Sequence, residues 1–504
     1  MRVHSAADHH EAAHHEAADP ELRRLAEAVL IPPFPSQQAP PWILAALADG
    51  LAGVTLFGPN IESPAQLAEL TAALRAAAPG AVIAIDEEGG DVTRIAHRRG
   101  SPYPGNAALG AIDDVGLTEA VYAALGADLA ALGVSLDLAP AVDVNTAADN
   151  PVIGTRSFGS DTALVARHAA AAVAGLQSAG VAACAKHFPG HGSTQLDSHH
   201  ELATVDASAA LLAERDLPPF AAAIAAGVRA IMPGHLRVPE LTGDLPASLS
   251  PAALTGLLRG ELGFAGVIVS DGLEMRAVSD VYGIPEAAVL AVLAGTDLLC
   301  LGRDQDQQMY ADVREALMTA VRTGRMPGQR LEEAAARVAE LRSWTAAAVG
   351  RARGSDAEIG LAAARRAVRV DGVPQPLHRP FVVEIVPPAN MAAGTVPWGL
   401  SSWVRADSLR RISTGAPPAD LETSIAGLLA EATGRSLVVV VRDAHRYPAA
   451  ADVVSRILAA RPDAVVVEMG LPVWRPPAGL YLATFGAART SSRAAAEVLG
   501  LAGP

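Results

Sequence analysis

The chain has 504 residues, of which 50% are hydrophobic and 18% are charged, and its formal net charge is −15 at pH 7. This length exceeds the ~100 to 200 residues of one typical domain, and the composition is not that of a disordered chain. The excess of acidic residues argues against polyanionic partners, so neither nucleic acid nor an anionic membrane surface is expected to bind.

The cysteines and the first residues bear on the cellular location. Cys184 and Cys300 both lie in apolar runs, which predicts buried thiols in a reducing compartment rather than a disulfide. Residues 1–20 are polar, acidic and rich in histidine, unlike a cleavable signal, and no apolar run reaches the ~20 residues of a membrane-spanning helix. We therefore expect a cytoplasmic protein with a polar, His-rich N-terminal tail.

Residues 50–302 repeat one cycle, in which a short β-branched apolar run ends in polar residues and a segment with helical spacing follows. The apolar runs stand at 54–58, 81–86, 133–140, 182–187, 230–235, 266–271 and 296–302. Strands that alternate with helices form parallel sheets, and seven cycles in ~250 residues favour a (β/α)8-like TIM barrel. A further strand is expected at 27–33.

The hydrophobic pattern of the chain changes after residue 302 and again after residue 370. Residues 303–370 show only helical patterns, which include the stretch 361–370. A second, smaller alternation of strands and helices follows, with apolar runs at 381–388, 436–445, 463–470 and 479–486. We predict a catalytic barrel domain over 21–345, a helical linker over 346–370 and a C-terminal α/β sandwich domain over 371–504.

Polar side chains end five of the predicted barrel strands. They are Asp86, Asp137, Lys186 with His187, His235 and Asp271. Parallel barrels build their active sites at the carboxyl ends of their strands. Polar residues at the carboxyl ends of five strands therefore predict an active site at that end of the barrel. For Asp271 taken alone, a cap on the following helix is an alternative to a catalytic role.

The segment 186–206, KHFPGHGSTQLDSHHELATVD, gathers histidines and carboxylates between a strand and the next helix. Its proline and glycines require an irregular backbone, which predicts a loop over the barrel mouth. A zinc site is an alternative reading of the cluster, but neither the HExxH nor the CxxC spacing is present. We expect no metal and no cofactor.

Several motifs together resemble a known family. KHFPGHG followed by DSH, with DEEGGDVTR at 86–94, MPGH at 232–235 and SDGLEM at 270–275, resembles glycoside hydrolase family 3 in its β-N-acetylglucosaminidase branch. The resemblance spans most of residues 20–345 and follows the order of the family's motifs. It implies an enzyme that removes terminal β-linked N-acetylglucosamine from a small carbohydrate substrate.

The resemblance also implies roles for individual residues. Asp271 is the expected nucleophile, His199 the general acid/base, and Asp197 the carboxylate that orients His199. The residues expected to bind the sugar are Asp86, Arg94, Arg156, Lys186, His187 and His235. His200 is the neighbouring imidazole, and motif position favours His199 over it. Gly272 departs from the family, because many members have a second aspartate there.

The chemistry of these residues agrees with glycosidic cleavage. A carboxylate can attack the anomeric carbon and form a covalent glycosyl-aspartate, while a second group protonates the departing oxygen, and the reaction retains configuration. A histidine has a reference pKa of ~6.5, so the adjacent Asp197 helps to keep His199 protonated. A histidine that has given up its proton is neutral and does not repel an incoming anion. Phosphorolysis with inorganic phosphate is therefore the first alternative to hydrolysis.

Other readings of the same residues lead to different functions. A non-catalytic sugar-binding protein on a decayed barrel is an alternative, although Asp271, Asp197 and His199 are all present. A metal-dependent hydrolase that uses the histidine cluster would lose activity to chelators. From the C-terminal domain we expect a contribution to the pocket rim or to a homodimer rather than to the chemistry. Muropeptides, chitobiose and glycosylated small molecules are all open as substrates, as is the strictness for the acetamido group.

Overall fold

The computed structural model describes residues 20–195, 202–348, 350–351, 356, 358–388, 394–415 and 418–503. The N-terminal tail predicted over 1–20 therefore lies outside the described residues except for its last position. Asp197, His199 and His200 lie outside them as well.

The described residues form sixteen strands. In chain order they are β1 Leu30–Ile31, β2 Gly53–Leu56, β3 Val82–Ile85, β4 Leu136–Asp137, β5 Ala182–Phe188, β6 Ala203–Thr204, β7 Ala230–Pro233, β8 Leu236–Arg237, β9 Val267–Ile268, β10 Leu299–Cys300, β11 Arg369–Gly372, β12 Phe381–Val386, β13 Leu409–Ser413, β14 Leu437–Val441, β15 Val465–Glu468 and β16 Leu480–Ala483.

Helices connect these strands, and several begin where the sequence offers a capping side chain. Ser63, Asp114, Asp161 and Asp306 each accept a backbone N–H bond at a helix start. The helical segments are 20–27, Pro41–Asp49, Pro64–Ala77, Asn106–Ile112, Val115–Ala131, Thr162–Ser178, Ala209–Leu211, Leu212–Asp216, Leu217–Ala225, Pro239–Thr242, Ala252–Glu261, Arg276–Tyr282, Ile284–Ala294, Gln307–Arg322, Gly328–Ala348, Ile359–Ala367, Pro418–Glu431, Pro448–Ala460 and Arg489–Val498.

None of the described helices is by itself long and apolar enough to cross a membrane. The consecutive helices Arg276–Tyr282 and Ile284–Ala294 reach that length and composition only as a pair, and the pair is bent by 107°.

Eight parallel strands make up the first sheet system. Six of them pair in the order β2-β3-β4-β5-β7-β9, and β1 pairs with β10. A parallel bridge between Val269 and Leu298 joins the two groups on one side. On the other side, Thr55 donates its N–H to Pro32 at 3.3 Å and its hydroxyl to the Ile31 carbonyl at 3.1 Å. The predicted (β/α)8-like barrel is confirmed, with β1 as the eighth strand.

The barrel strands are buried on both faces, which explains why they are continuous apolar runs in the sequence. One face packs under the surrounding helices, and the other fills the barrel interior with small side chains such as Ala84, Ala182 and Ala230. Cys184 and Cys300 are free thiols buried in that interior. The barrel is therefore a packed core, and the space for a ligand lies at its ends.

A second sheet follows in the order β11-β16-β15-β14-β12-β13, with helices packed on it. All of its pairs are parallel except β11 with β16. The predicted smaller α/β domain is thus confirmed. The expectation of helix through residue 370 is wrong, because the helix ends at Ala367 and β11 begins at Arg369. All four residues of this edge strand are exposed, so it has no apolar run that could have indicated it.

Asp297 ties the outer helices to the barrel at the start of β10. Its Oδ2 accepts the Ile268 N–H at 3.0 Å and a bond from Arg259, and its Oδ1 accepts bonds from Arg330 at 2.8 Å and Arg337 at 3.1 Å. The Asp297 side chain is fully buried. One buried carboxylate therefore compensates three arginines from two helices.

We expect Asp297→Ala to lower the free energy of unfolding by about 3–5 kcal/mol, because it leaves partly buried guanidinium groups without a counter-charge. Urea denaturation at pH 7 measures the loss. Asp306→Ala is the control, since Asp306 only caps a helix through the Met309 N–H at 2.9 Å, and it should cost about 1 kcal/mol. Equal losses in the two variants would contradict this role of Asp297.

Candidate active site

A cavity of about 270 Å³ opens at the carboxyl ends of the barrel strands. Six residues predicted from the sequence line it together, namely Asp86, Arg94, Arg156, Lys186, His187 and Asp271. These residues come from four separate places in the chain, and the parallel strands bring them to one end of the barrel. Glu88, His191 and Glu274 also line the cavity, although the sequence analysis did not single them out as site residues.

A buried cluster of charges forms one wall of the cavity. Lys186 Nζ donates to Asp86 Oδ1 at 2.8 Å and lies 2.7 Å from Glu88 Oε1. Arg156 binds the same Glu88 carboxylate twice, from Nε at 2.9 Å and from a terminal nitrogen at 2.7 Å. Only 3% of the Lys186 and Glu88 side chains is exposed. Glu88 adjoins the predicted Asp86 in the DEEGG motif, but sequence alone does not show which carboxylate turns inward.

The protonation states of this cluster are set by its internal pairing. Burial alone would raise the pKa of Glu88, but Arg156 and Lys186 outweigh it and hold that pKa well below its usual range. Burial alone would lower the pKa of Lys186, but Asp86 and Glu88 outweigh it and raise that pKa. The cluster therefore keeps its charges at ordinary pH, which suits fixed hydrogen-bonding groups rather than proton transfer.

Asp137 supports the loop that carries Glu88. It ends β4, as predicted, but it does not belong to the described lining of the cavity. Its Oδ1 accepts the Glu87 N–H at 2.9 Å, and burial raises its pKa well above the usual range. Glu87 in turn accepts the N–H groups of Arg94 at 2.8 Å and Ile95 at 3.0 Å. These contacts fix the backbone between Asp86 and Arg94.

Asp143 organises the start of the histidine-rich loop. Its Oδ2 lies 2.9 Å from His187 Nδ1, and its Oδ1 accepts the backbone N–H of His191 at 2.7 Å. Burial, reinforced by His187, lowers the pKa of His191 to about 4, so the His191 ring is neutral. Asp143 was missed because it lies in an irregular segment, where strand-end reasoning does not apply.

Asp271 lines the cavity three residues after the end of β9. Its Oδ1 accepts the N–H of Gly272 at 2.8 Å, which orients the carboxylate. The next helix, Arg276–Tyr282, begins after Met275 and has no side-chain cap. The alternative in which Asp271 caps that helix is therefore wrong.

His235 is fully buried, and the cavity lining among the described residues does not include it. Its Nδ1 lies 2.6 Å from Ser248 Oγ and its Nε2 lies 3.0 Å from the Gly272 carbonyl. The expectation that His235 binds the sugar needs correction for this reason. The ring contacts the turn after Asp271 instead of the pocket.

Asp197 and His199, the predicted acid/base pair, lie outside the described residues. Within the part of the chain that the structure describes, no group of three or more His, Cys, Asp or Glu side chains could hold a metal ion.

The C-terminal domain reaches the same cavity. Gly394, Thr395 and Val396 line it together with residues such as Phe57 and Arg303 that belong to the barrel loops. The cavity is therefore formed by both domains, and the arrangement presents a carboxylate, Asp271, next to fixed polar groups.

The sequence is similar to a glycosyl hydrolase family model and to proteins named Beta-hexosaminidase. Residues 35–341 match the family model described as the glycosyl hydrolase family 3 N terminal domain. The chain is 34% identical over 319 residues to Beta-hexosaminidase A of Pseudoalteromonas piscicida, an alignment that covers 58% of this chain and 53% of that protein. It is 38% identical over 286 residues to the Beta-hexosaminidase of Stenotrophomonas maltophilia strain K279a, covering 55% and 84% of the two chains.

A solved structure resembles the whole chain. The glycoside hydrolase family 3 beta-N-acetylglucosaminidase from Paenibacillus sp. str. FPU-7 superposes with a TM-score of 0.84 and 31% identity. The match covers 96% of this chain and 97% of that one, so it includes the C-terminal domain.

We expect Glu88→Gln to lower the free energy of unfolding by about 3 kcal/mol at pH 7, because Lys186 and Arg156 then lose their shared counter-charge. The folded-state pKa of Glu88 lies below the unfolded value, so its contribution is complete above ~pH 4.5 and is lost as the pH falls further. The difference in the free energy of unfolding between the wild type and Glu88→Gln should therefore become smaller below that pH. Chemical denaturation as a function of pH measures this difference.

The control is Glu286→Gln, which breaks an ion pair with Arg325. The Glu286 side chain is 39% exposed and the Arg325 side chain 46%. Surface pairs of this kind contribute ~0–1 kcal/mol. A loss at Glu88 no larger than the loss at Glu286 would count against the buried cluster as a stabilising unit.

Proposed function

This chain belongs to glycosyl hydrolase family 3, and from that premise we propose that it is a retaining exo-β-N-acetylglucosaminidase. The observation that carries the proposal is the position of Asp271, in a cavity at the barrel mouth beside the polar residues Asp86 and Lys186. Relatives named Beta-hexosaminidase and a solved beta-N-acetylglucosaminidase support the same reaction.

In the first step of the proposed reaction, the Asp271 carboxylate attacks the anomeric carbon and the bond to the aglycone oxygen breaks. The product is a covalent glycosyl-aspartate, which water then hydrolyses, so two inversions retain the configuration. The Gly272 N–H bond to Oδ1 restricts the rotation of the carboxylate, which favours a geometry ready for attack.

We assign proton transfer to His199, with Asp197 as its orienting carboxylate. The support for this pair is the DSH motif at 197–199 and its spacing from KHFPGHG. His199 protonates the departing oxygen in the first step and takes a proton from water in the second.

The sugar is held by the charged cluster in this proposal. Asp86, Lys186 and His187 offer acceptors and donors within the cavity, and Arg94 stands beside Asp86, with 3.8 Å between the guanidinium and the carboxylate. The pairs Lys186–Asp86 and Arg156–Glu88 hold these groups in place before a ligand binds. Such preorganisation suits a neutral sugar with several hydroxyl groups, because little reorganisation is needed when it binds.

Phosphorolysis is the second candidate, and two observations favour it. The proposed acid/base is a histidine, which is neutral after proton transfer and tolerates an anionic acceptor. Arg303 and His97 also line the cavity, so cationic or titratable groups stand near its mouth. In this reading, phosphate rather than water attacks the glycosyl-aspartate.

Several wider expectations belong with this proposal. Of the predicted domain limits 21–345, 346–370 and 371–504, we propose the first as predicted and move the start of the C-terminal domain to 369, where β11 begins. We also propose a cytoplasmic location, which the two free, buried cysteines favour. The contribution of Gly394–Val396 to the cavity supports a role of the C-terminal domain at the pocket rim. A homodimer stays a prediction that size-exclusion chromatography with light scattering can test.

We expect Asp271→Ala to lose turnover of an aryl N-acetylglucosaminide by a factor on the order of 10⁴, because the covalent intermediate cannot form. His199→Ala should lose about 10²–10⁴-fold on a natural disaccharide and much less on an aryl substrate whose leaving group needs little protonation. Steady-state kinetics on both substrates measure these losses. His200→Ala is the matched control and should resemble the wild type; equal losses of His199→Ala on both substrates would rule it out as the acid.

Hydrolysis and phosphorolysis are separated by their products. We expect free N-acetylglucosamine at a rate that does not depend on added inorganic phosphate. Ion chromatography of the reaction with and without phosphate detects sugar 1-phosphate directly. A strong stimulation by phosphate, with sugar 1-phosphate as the main product, would replace hydrolysis by phosphorolysis.

A further inference from the structure

Asp91 joins the barrel to the C-terminal domain beside the cavity. Its Oδ1 accepts the N–H of Ala487 at 2.8 Å, and its Oδ2 lies 3.1 Å from a terminal nitrogen of Arg442. Ala487 and Arg442 follow the ends of β16 and β14 in the C-terminal sheet. The Asp91 side chain is 4% exposed and the Arg442 side chain 17%, so this ion pair is largely shielded from water.

The same carboxylate also connects two barrel loops. Asp91 Oδ2 accepts the hydroxyl of Thr155 at 2.6 Å. Thr155 directly precedes Arg156, and Asp91 lies three residues after Glu88. Glu88 and Arg156 are the two partners of the buried pair in the cavity wall. Arg156 therefore follows a residue that Asp91 holds, and Glu88 lies in the same turn as Asp91.

The turn between Glu88 and Asp91 contains two glycines. Gly89 and Gly90 have φ angles of +72° and +58°, and two consecutive glycines restrict the backbone less than any other residues. Backbone bonds close the turn itself, from the Glu88 N–H to the Val92 carbonyl at 3.0 Å and from the Val92 N–H to the Gly89 carbonyl at 3.2 Å, and the Gly90 N–H bonds to the Tyr103 carbonyl at 2.9 Å. The side chain of Asp91 adds the contacts that tie this closed turn to Thr155 and to the C-terminal domain.

We propose that Arg442 of the C-terminal domain is a positioning residue for the sugar-binding wall of the barrel. Through Asp91 and Thr155 it holds the two loops that present Glu88 and Arg156 to the cavity. Arg442 does not line the cavity itself, so it acts through these residues. The kinetic part of this inference rests on the proposed function, since it needs a substrate that is turned over.

An exposed ion pair between the linker helix Ile359–Ala367 and the barrel provides a control. A terminal nitrogen of Arg366 lies 2.9 Å from Asp114 Oδ2. The Arg366 side chain is 51% exposed and the Asp114 side chain 41%. Asp114 caps the helix Val115–Ala131 and is not among the residues that line the cavity. Loss of this pair removes an ion pair between the linker and the barrel without touching the loops of Glu88 and Arg156.

The kinetic test compares Arg442→Ala, Arg442→Lys and Arg366→Ala in the full chain with an aryl N-acetylglucosaminide. We expect Arg442→Ala to raise KM about tenfold while kcat changes by less than about threefold, because displaced wall residues weaken binding of substrate and transition state alike. Arg442→Lys, which keeps the positive charge, should have a KM close to that of the wild type, and Arg366→Ala should match the wild type. An unchanged KM in Arg442→Ala, or equal effects in Arg366→Ala, would overturn the proposal.

A second measurement does not depend on turnover. Hydrogen exchange of peptides covering residues 87–95 in the ligand-free protein should be faster in Arg442→Ala than in Arg366→Ala and the wild type. If no variant, wild type included, cleaves N-acetylglucosaminides, the proposed function fails while the exchange result still decides this inference. Thr155→Val replaces Arg442→Ala if the latter does not fold, and it should accelerate exchange in the same peptides; unaltered exchange would again contradict the proposal.

Discussion

Two buried cations, Lys186 and Arg156, share the carboxylate of Glu88 at the mouth of the barrel. An isolated charge at such a site costs several kcal/mol, so each member of the cluster requires the others. This requirement explains how β5, an otherwise apolar and buried strand, can carry a lysine. The polar atoms of the cavity wall are thereby fixed before any ligand arrives.

The cluster also determines how the two domains depend on each other. Glu88 begins a double-glycine turn, and Asp91 joins that turn both to Thr155 and to the C-terminal residues Arg442 and Ala487. The same domain adds Gly394–Val396 to the cavity. The C-terminal sheet is thus adjacent to the site at two places, although Asp271 and the charged wall belong to the barrel.

Much of this arrangement could be predicted from the sequence, because strand ends are visible as polar residues after apolar runs. That signal located Asp86, Lys186, His187 and Asp271, and parallel topology places such residues together. It could not locate Asp143, which stands in an irregular segment, and it could not show that Glu88 turns into the cavity. It misplaced His235, because a strand end does not reveal which way a ring points.

In the second sheet, the edge strands could not be predicted from the sequence pattern. The central strands are long valine-rich runs and were predictable, whereas β11 is exposed along its whole length and β13 buries only Ile412. Edge strands depend on pairing with a neighbour rather than on their own apolar pattern. Local sequence therefore carries little information about them.

Trapping of the covalent intermediate tests the central claim most directly. A 5-fluoro N-acetylglucosaminyl fluoride should react with the enzyme and hydrolyse slowly, so that intact mass and peptide mapping can locate the attached sugar. We predict one adduct per chain, on Asp271. An adduct on another residue, or turnover of the reagent without any adduct, would contradict Asp271 as the nucleophile.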